Sequence, residues 1–241
     1  MIGFLSLKCV LLLLPTLNAE TNRSNASLST CTFPEPFVEK VEGWKVEFGP
    51  ELMAEQQKKT YRECRKSLAN HLQRIRYLLP EEKSKALQRF IIKVDLDHDL
   101  SNMQYHPSRL WLIEHGHDPK LEKRVHVPQA RLLLDRATWL KHPYVILHEL
   151  AHAYHDQVLD FANPTIIEAY KRAKKRSLYQ KVLFFRGGTT SHYAQTNHME
   201  FFAEMTESYV GVNDFYPFVR AELKQHDPHT FDLMQEIWGE F

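Results

Sequence analysis

Cysteine is scarce, with three in 241 residues, so no multi-disulfide framework can hold this chain together. Beyond the N-terminus there is no run of about 20 apolar residues, which leaves no sequence candidate for a membrane-spanning helix. Neither sign of charge dominates: 31 Lys and Arg face 30 Asp and Glu. A nucleic-acid binder normally carries a basic excess or a basic run. The single run here, Lys171 to Arg176, has no stacking aromatics interleaved and reads as the solvated face of a helix. Neither nucleic acid nor membrane is therefore expected among the partners. No internal repeat is visible, which sets aside solenoid architectures.

What is present points to one folded domain. The chain is 43% hydrophobic and carries four Trp, ten Tyr and fourteen Phe, a load of aromatic surface that must be buried. Lys8, the apolar run Val10 to Leu14 and Leu17-Asn18-Ala19 predict a secretory signal over residues 1–19, and so a secreted, extracellular protein. Residues 20–42 are rich in Asn, Ser, Thr and Pro and read as a linker, with sequons that make Asn22 and Asn25 glycosylation candidates. In an oxidising compartment the two remaining cysteines, Cys31 and Cys64, are expected to form a disulfide. The domain then runs over residues 43–241.

Trp44 to Phe48, Phe90 to Leu96 and Arg124 to Val127 look extended, the last a candidate edge strand for an extended peptide. Helical periodicity covers Glu51 to Leu79 and, later, about 142–158, 164–177, 197–210 and 217–225, with Pro217 in the first turn of the last. Strands first and helices later predict an α+β domain: a small mixed sheet packed against a helical half.

The run His148-Glu149-Leu150-Ala151-His152 is the sharpest chemical signal. On a helical wheel His148, His152 and His155 share one narrow face, while Leu147, Leu150, Ala151 and Tyr154 form an adjacent apolar stripe. Two histidines one turn apart can converge on one Zn²⁺, and the neighbouring Glu149 can act as general base toward a water that the ion activates. Two ligands from this helix suffice, so His155 is expected to be a supporting or structural histidine, and Asp156 to be solvated.

Catalytic zinc usually keeps three protein ligands. The run Asn197 to Glu207 sets Glu200, Glu204 and Glu207 on one helical face at the spacing of the three histidines. Spacing alone does not choose among the three carboxylates, and Asn197 with Glu200 also looks like a helix-capping pair.

The combined pattern His148-Glu149-x-x-His152 followed by Tyr193-x-x-x-Asn197-x-x-Glu200-Phe201-Phe202-Ala203-Glu204 resembles the catalytic domain of anthrax lethal factor and the related zinc metallopeptidases. Tyr105 to Ser108, His148 to Leu159 and Asn213 to Arg220 are similar to a stand-alone secreted branch of that group. The resemblance implies a zincin-like fold over roughly 43–241 and one Zn²⁺ held by His148, His152 and Glu200. It further implies Glu149 as base, Tyr193 as donor to the oxyanion, Glu204 as a carboxylate supporting the ligands, and a peptide or protein substrate. Two other functions fit the same metal: a secreted zinc-binding or interaction protein without turnover, and hydrolysis of a non-peptide amide or ester. The accessory domains of the toxin have no counterpart here, so substrate recognition does not transfer.

Overall fold

The structure is a computed structural model that describes residues 33–240. The predicted signal peptide, Asn22, Asn25 and Cys31 lie outside the described residues, and the folded unit begins at Glu35.

Its sheet starts with a two-residue turn. Glu42 and Gly43 both take positive φ, 48° and 107°, the geometry whose twist suits a tight hairpin. The φ of Gly43 favours glycine, while a Cβ there would only push aside the flexible end of the Gln88 side chain. The turn joins β1 (Phe37–Val41) to β2 (Trp44–Phe48) in an antiparallel pair. The stretch assigned to a linker therefore ends earlier than expected: β1 lies inside it, because Phe37 to Val41 gain ladder hydrogen bonds from β2.

β2 continues in parallel with β3 (Ile91–Val94), β3 in parallel with β5 (Arg124–Val127), and β5 antiparallel to β4 (Gln104–Tyr105), giving the order β1-β2-β3-β5-β4. Arg124 to Val127 is thus an interior strand, contrary to its expected place at the edge, and the two-residue β4 takes the edge. Register aligns Val46, Ile92, Val125 and Tyr105 in one buried row across four strands. Glu47, Lys93 and His126 align in the adjacent row, where Arg124 Nε donates to Glu47 at 2.8 Å and His126 Nε2 lies 2.9 Å from Asp95.

Helices supply the rest: α1 (Lys58–Leu78), α2 (Glu81–Leu87), α3 (Arg109–Glu114), α4 (Arg136–Lys141), α5 (Val145–Tyr154), α6 (Pro164–Lys175), α7 (His198–Val210), α8 (Arg220–His226) and α9 (Pro228–Trp238). A hairpin of β6 (Val182–Leu183) and β7 (Thr189–Thr190) turns through Gly187 and Gly188, both at positive φ. The molecule is an α+β protein with a small mixed sheet, as expected. Leu68, Leu72 and Ile75 on one face of α1 are buried, as are Trp44, Val46 and Phe48 of β2. Removing any one of these side chains to Ala would cost about 2–5 kcal/mol.

Several helix boundaries differ from the sequence reading: α1 begins at Lys58, behind two 3₁₀ turns, and α5 begins at Val145. Pro217 does not open a helix; it follows Tyr216 through a cis peptide bond, and α8 begins at Arg220. Pro228 does not merely end a helix but opens α9, with Asp227 as the cap. α9 then covers the helical half through Trp238, whose Nε1 donates to Thr206 at 3.0 Å and whose ring lies 4.9 Å from that of Tyr154. Among the described residues no helix is long and apolar enough to cross a membrane.

The expected Cys31–Cys64 bridge is not borne out. Cys64 is a free thiol, fully buried in α1, and its Sγ donates to the Ala130 carbonyl at 3.2 Å. Burial pushes that thiol up to about 12. A peptide-mapped alkylation should leave Cys64 unlabelled in the native protein and label it in denaturant without reductant; labelling that requires reductant would restore the bridge.

His71, also on α1, stacks on Trp139 with ring centroids 4.1 Å apart. Burial, assisted by Arg74, pushes its imidazole down to about 3 from 6.5. The unfolded chain takes up a proton near pH 6.5 that the native chain refuses, so this stabilisation is complete above pH 6.5 and is lost as the pH falls toward 3. His71→Gln should therefore lose less urea stability between pH 7 and pH 5 than the wild type, by about 1–2 kcal/mol. Equal losses in the two proteins would contradict the assignment.

Candidate metal centre

α5 is built almost wholly of buried residues, Ile146 to Ala151 among them. Its N-terminus is set by Tyr144, over whose ring the Arg74 guanidinium lies at 4.7 Å while its Nη2 donates to the Pro143 carbonyl at 2.6 Å. α7 ends beside it. Gly211 closes α7, and a Cβ there would meet the Tyr144 ring at 2.7 Å, so glycine permits the two helices to pack.

The start of α7 is fixed by Asn197, whose Oδ1 accepts from Met199 N at 2.9 Å and Glu200 N at 2.8 Å. Asn197 caps the helix, yet the Glu200 side chain does not return to the cap. It turns toward α5, where its Oε2 lies 3.2 Å from both His148 Nε2 and His152 Nε2. The two imidazole nitrogens are themselves 3.1 Å apart. A tetrahedral ion with bonds of about 2.0–2.1 Å has ligand-to-ligand edges of about 3.3 Å, so these three atoms could hold one metal ion. His148 and Glu200 are buried and His152 is half-buried.

The back of His148 is held as firmly as its front. Nδ1 lies 3.3 Å from Glu207 Oε2, against 3.9 Å from Glu204 Oε1. Of the two carboxylates that share a helical face with Glu200, Glu207 therefore makes the closer contact, although the resemblance pointed to Glu204. Those two carboxylates and Nδ1 form a second convergent group, but one ring cannot use both nitrogens as neutral ligands at once. Glu207 is better described as the acceptor that orients the imidazole.

Electrostatics follow this geometry. Burial opposes a charge on His148, but the carboxylates of Glu200 and Glu207 overcome it and raise the ring well above its ordinary value. Burial likewise works to raise Glu200, and the imidazoles of His152 and His148 hold it below the usual carboxylate range. Glu207 is brought down to about 2 against its own burial by His148 and His142. His142 stands 3.7 Å away, an ionic contact and not a hydrogen bond. Glu204 is driven the other way by burial and by the neighbouring Glu207 charge, and it accepts from Asn213 Nδ2 at 2.8 Å.

Glu149 is buried, and one oxygen, Oε2, accepts from the Tyr105 backbone amide at 2.8 Å. That amide lies on the outer edge of β4, since the inner edge pairs with β5. Burial raises the Glu149 carboxyl above its ordinary value despite the nearby imidazoles of His148 and His152. Tyr105 thus belongs to the site's wall. Its hydroxyl donates to Asp156, which also accepts from Lys123; Asp156 is therefore engaged and not solvated.

α5 gives way at His155 to a π-helical turn, His155–Leu159, which breaks the 100° phase for the residues beyond His155. The ring is fully buried against Phe161, His198 and Phe202, with no hydrogen-bond partner at either nitrogen among the described residues. Tyr193 opens a short 3₁₀ turn, Tyr193–Gln195, immediately ahead of α7 and is half-buried.

Of the residues singled out in the sequence, the fold brings His148, His152 and Glu200 together. Sequence reasoning missed Tyr105 as a partner of Glu149, and it missed His142 and Asp214; all three reach the cluster from loops and an edge strand and carry no spacing signal. Comparisons with family profiles, with curated proteins and with solved structures found no match.

If Glu207 orients His148, Glu207→Ala should lower the affinity for a divalent ion by about 10–100-fold, read by competition with a chromogenic chelator. Unchanged affinity in a folded variant would remove that role.

Proposed function

We propose that this chain is a zinc-dependent peptidase of the zincin type, related to the lethal factor-like enzymes it resembles, which acts on peptide or protein substrates outside the cell. The observation that carries the reading is the triangle of His148 Nε2, His152 Nε2 and Glu200 Oε2, with edges of 3.1 to 3.2 Å, beside a carboxylate that is not part of it. Two imidazoles and one carboxylate make a donor set suited to zinc with a position left open.

Bound there, the ion supplies Lewis-acid activation of a water molecule and of the scissile carbonyl. The residues of the chain do the rest. Tyr105 N fixes one oxygen of Glu149, leaving the other to take a proton from the attacking water and deliver it to the leaving amine nitrogen. Burial helps: a carboxyl raised above its ordinary value accepts and returns a proton more evenly near neutral pH. Glu207 holds His148 in one orientation through Nδ1. The Tyr193 hydroxyl donates to the oxyanion as the carbonyl carbon becomes tetrahedral.

Glu149→Gln is the decisive variant, because it preserves shape and the Tyr105 hydrogen bond while abolishing the base. On a mixed peptide library, turnover should fall by about 10²–10⁴-fold with zinc content unchanged. Equal turnover by the two proteins, or zinc-loaded wild type that cleaves nothing, would end the peptidase reading.

A further inference from the structure

In the connections beside β4 and α3 the chain gathers another group of side chains able to bind a metal. His98 lies in the connection between β3 and β4, and His117 in the loop after α3. The Asp99 carboxylate stands between them, with Oδ1 2.7 Å from His98 Nδ1 and 3.6 Å from His117 Nδ1. The two imidazole rings are 5.3 Å apart.

Both histidines are fixed before any ligand arrives. His98 N donates to the Pro128 carbonyl at 2.9 Å, and Gln129 Nε2 donates to the His98 carbonyl at 3.0 Å. The His98 ring also meets His126 edge-on at 5.0 Å. His117 N donates to the Leu112 carbonyl at 2.8 Å, and its ring lies against Trp111. Two ligands held from separate loops need little reorganisation to bind, which favours an ion over a chance encounter of side chains.

The Leu100 amide points at His98 Nδ1 from 3.1 Å and Asp99 Oδ1 lies 2.7 Å from the same nitrogen, so an ion takes this position by displacing the Leu100 contact and by rotation of the exposed Asp99 side chain.

We propose that His98, Asp99 and His117 form a second site for a borderline divalent cation of the zinc, nickel or copper class, with water completing the coordination on the exposed Asp99 side. The proposal does not rest on the reading of His148, His152 and Glu200. An ion there clips the connection that leads into β4 to the loop after α3, and so braces the strand whose Tyr105 amide holds Glu149.

The test is a metal count. The full chain is stripped with chelator, dialysed against Zn²⁺ and analysed by mass spectrometry for bound zinc, with circular dichroism reporting the fold. Wild type should retain two equivalents, and His98→Ala/His117→Ala and His148→Ala/His152→Ala one each. Asp99→Asn, whose side chain is 76% exposed and so leaves the fold unchanged, should weaken one equivalent at least tenfold. If His98→Ala/His117→Ala and Asp99→Asn both bind zinc as wild type does, the second site is wrong, whatever the outcome at the first. Should the first double substitution fail to fold, the Asp99→Asn result decides alone. A single equivalent lost with His98 and His117 but kept without His148 and His152 would support the second site and sink the peptidase centre.

Discussion

One imidazole ties the helical half together. His148 is gripped at Nε2 by Glu200 and at Nδ1 by Glu207, two carboxylates two turns apart on the same helix. A ring so placed fixes the rotation of α5 about its axis and the rotation of α7 about its own, because sliding either helix by one residue would strand a buried charge. Breaking a buried charge pair by removing one partner is generally costly, about 3–5 kcal/mol. The apolar faces of the two helices give adhesion; the polar contacts give register.

Around that contact the protein builds in layers. Behind His148, the carboxylates of Glu204, Glu207 and Asp214 are packed with His142, His192 and Asn213. Burial raises Asp214 to about 6, and burial pushes His192 down to about 3. Groups of opposite tendency side by side keep the net charge of the buried region small. In front, the sheet contributes a single backbone amide, that of Tyr105. The strand row Val46-Ile92-Val125-Tyr105 is what places it.

Much of this was legible from residue order. His148 and His152 could be paired because helical spacing is a local property, whereas spacing left Glu200, Glu204 and Glu207 equivalent and only the resemblance pointed to Glu200. β2, β3 and β5 were legible as extended, and α6 and α7 were found nearly to the residue. What could not be read was sheet order: Arg124 to Val127 is extended whether it lies inside the sheet or at its rim, and only the placement of the two-residue β4 decides which. Cys64 shows the same limit. A count of cysteines cannot tell that Cys64 faces the core from α1. Pro217 and Pro228 were both read by the usual rules of helix ends, and the rules could not say which of the two begins a helix. His98 and His117 sit far apart in loops, where no periodicity exists to link them.

The π turn at His155–Leu159 leaves the histidine-bearing segment and the chain beyond it one residue out of step. Shortening that turn by a single residue would let ordinary helical winding run straight through, swinging Leu159 and the chain toward α6 by about 100° about the axis. The ligands upstream would keep their places while the buried ring of His155 lost its contact with Phe161, so an indel here would be felt behind the reactive face and not in it.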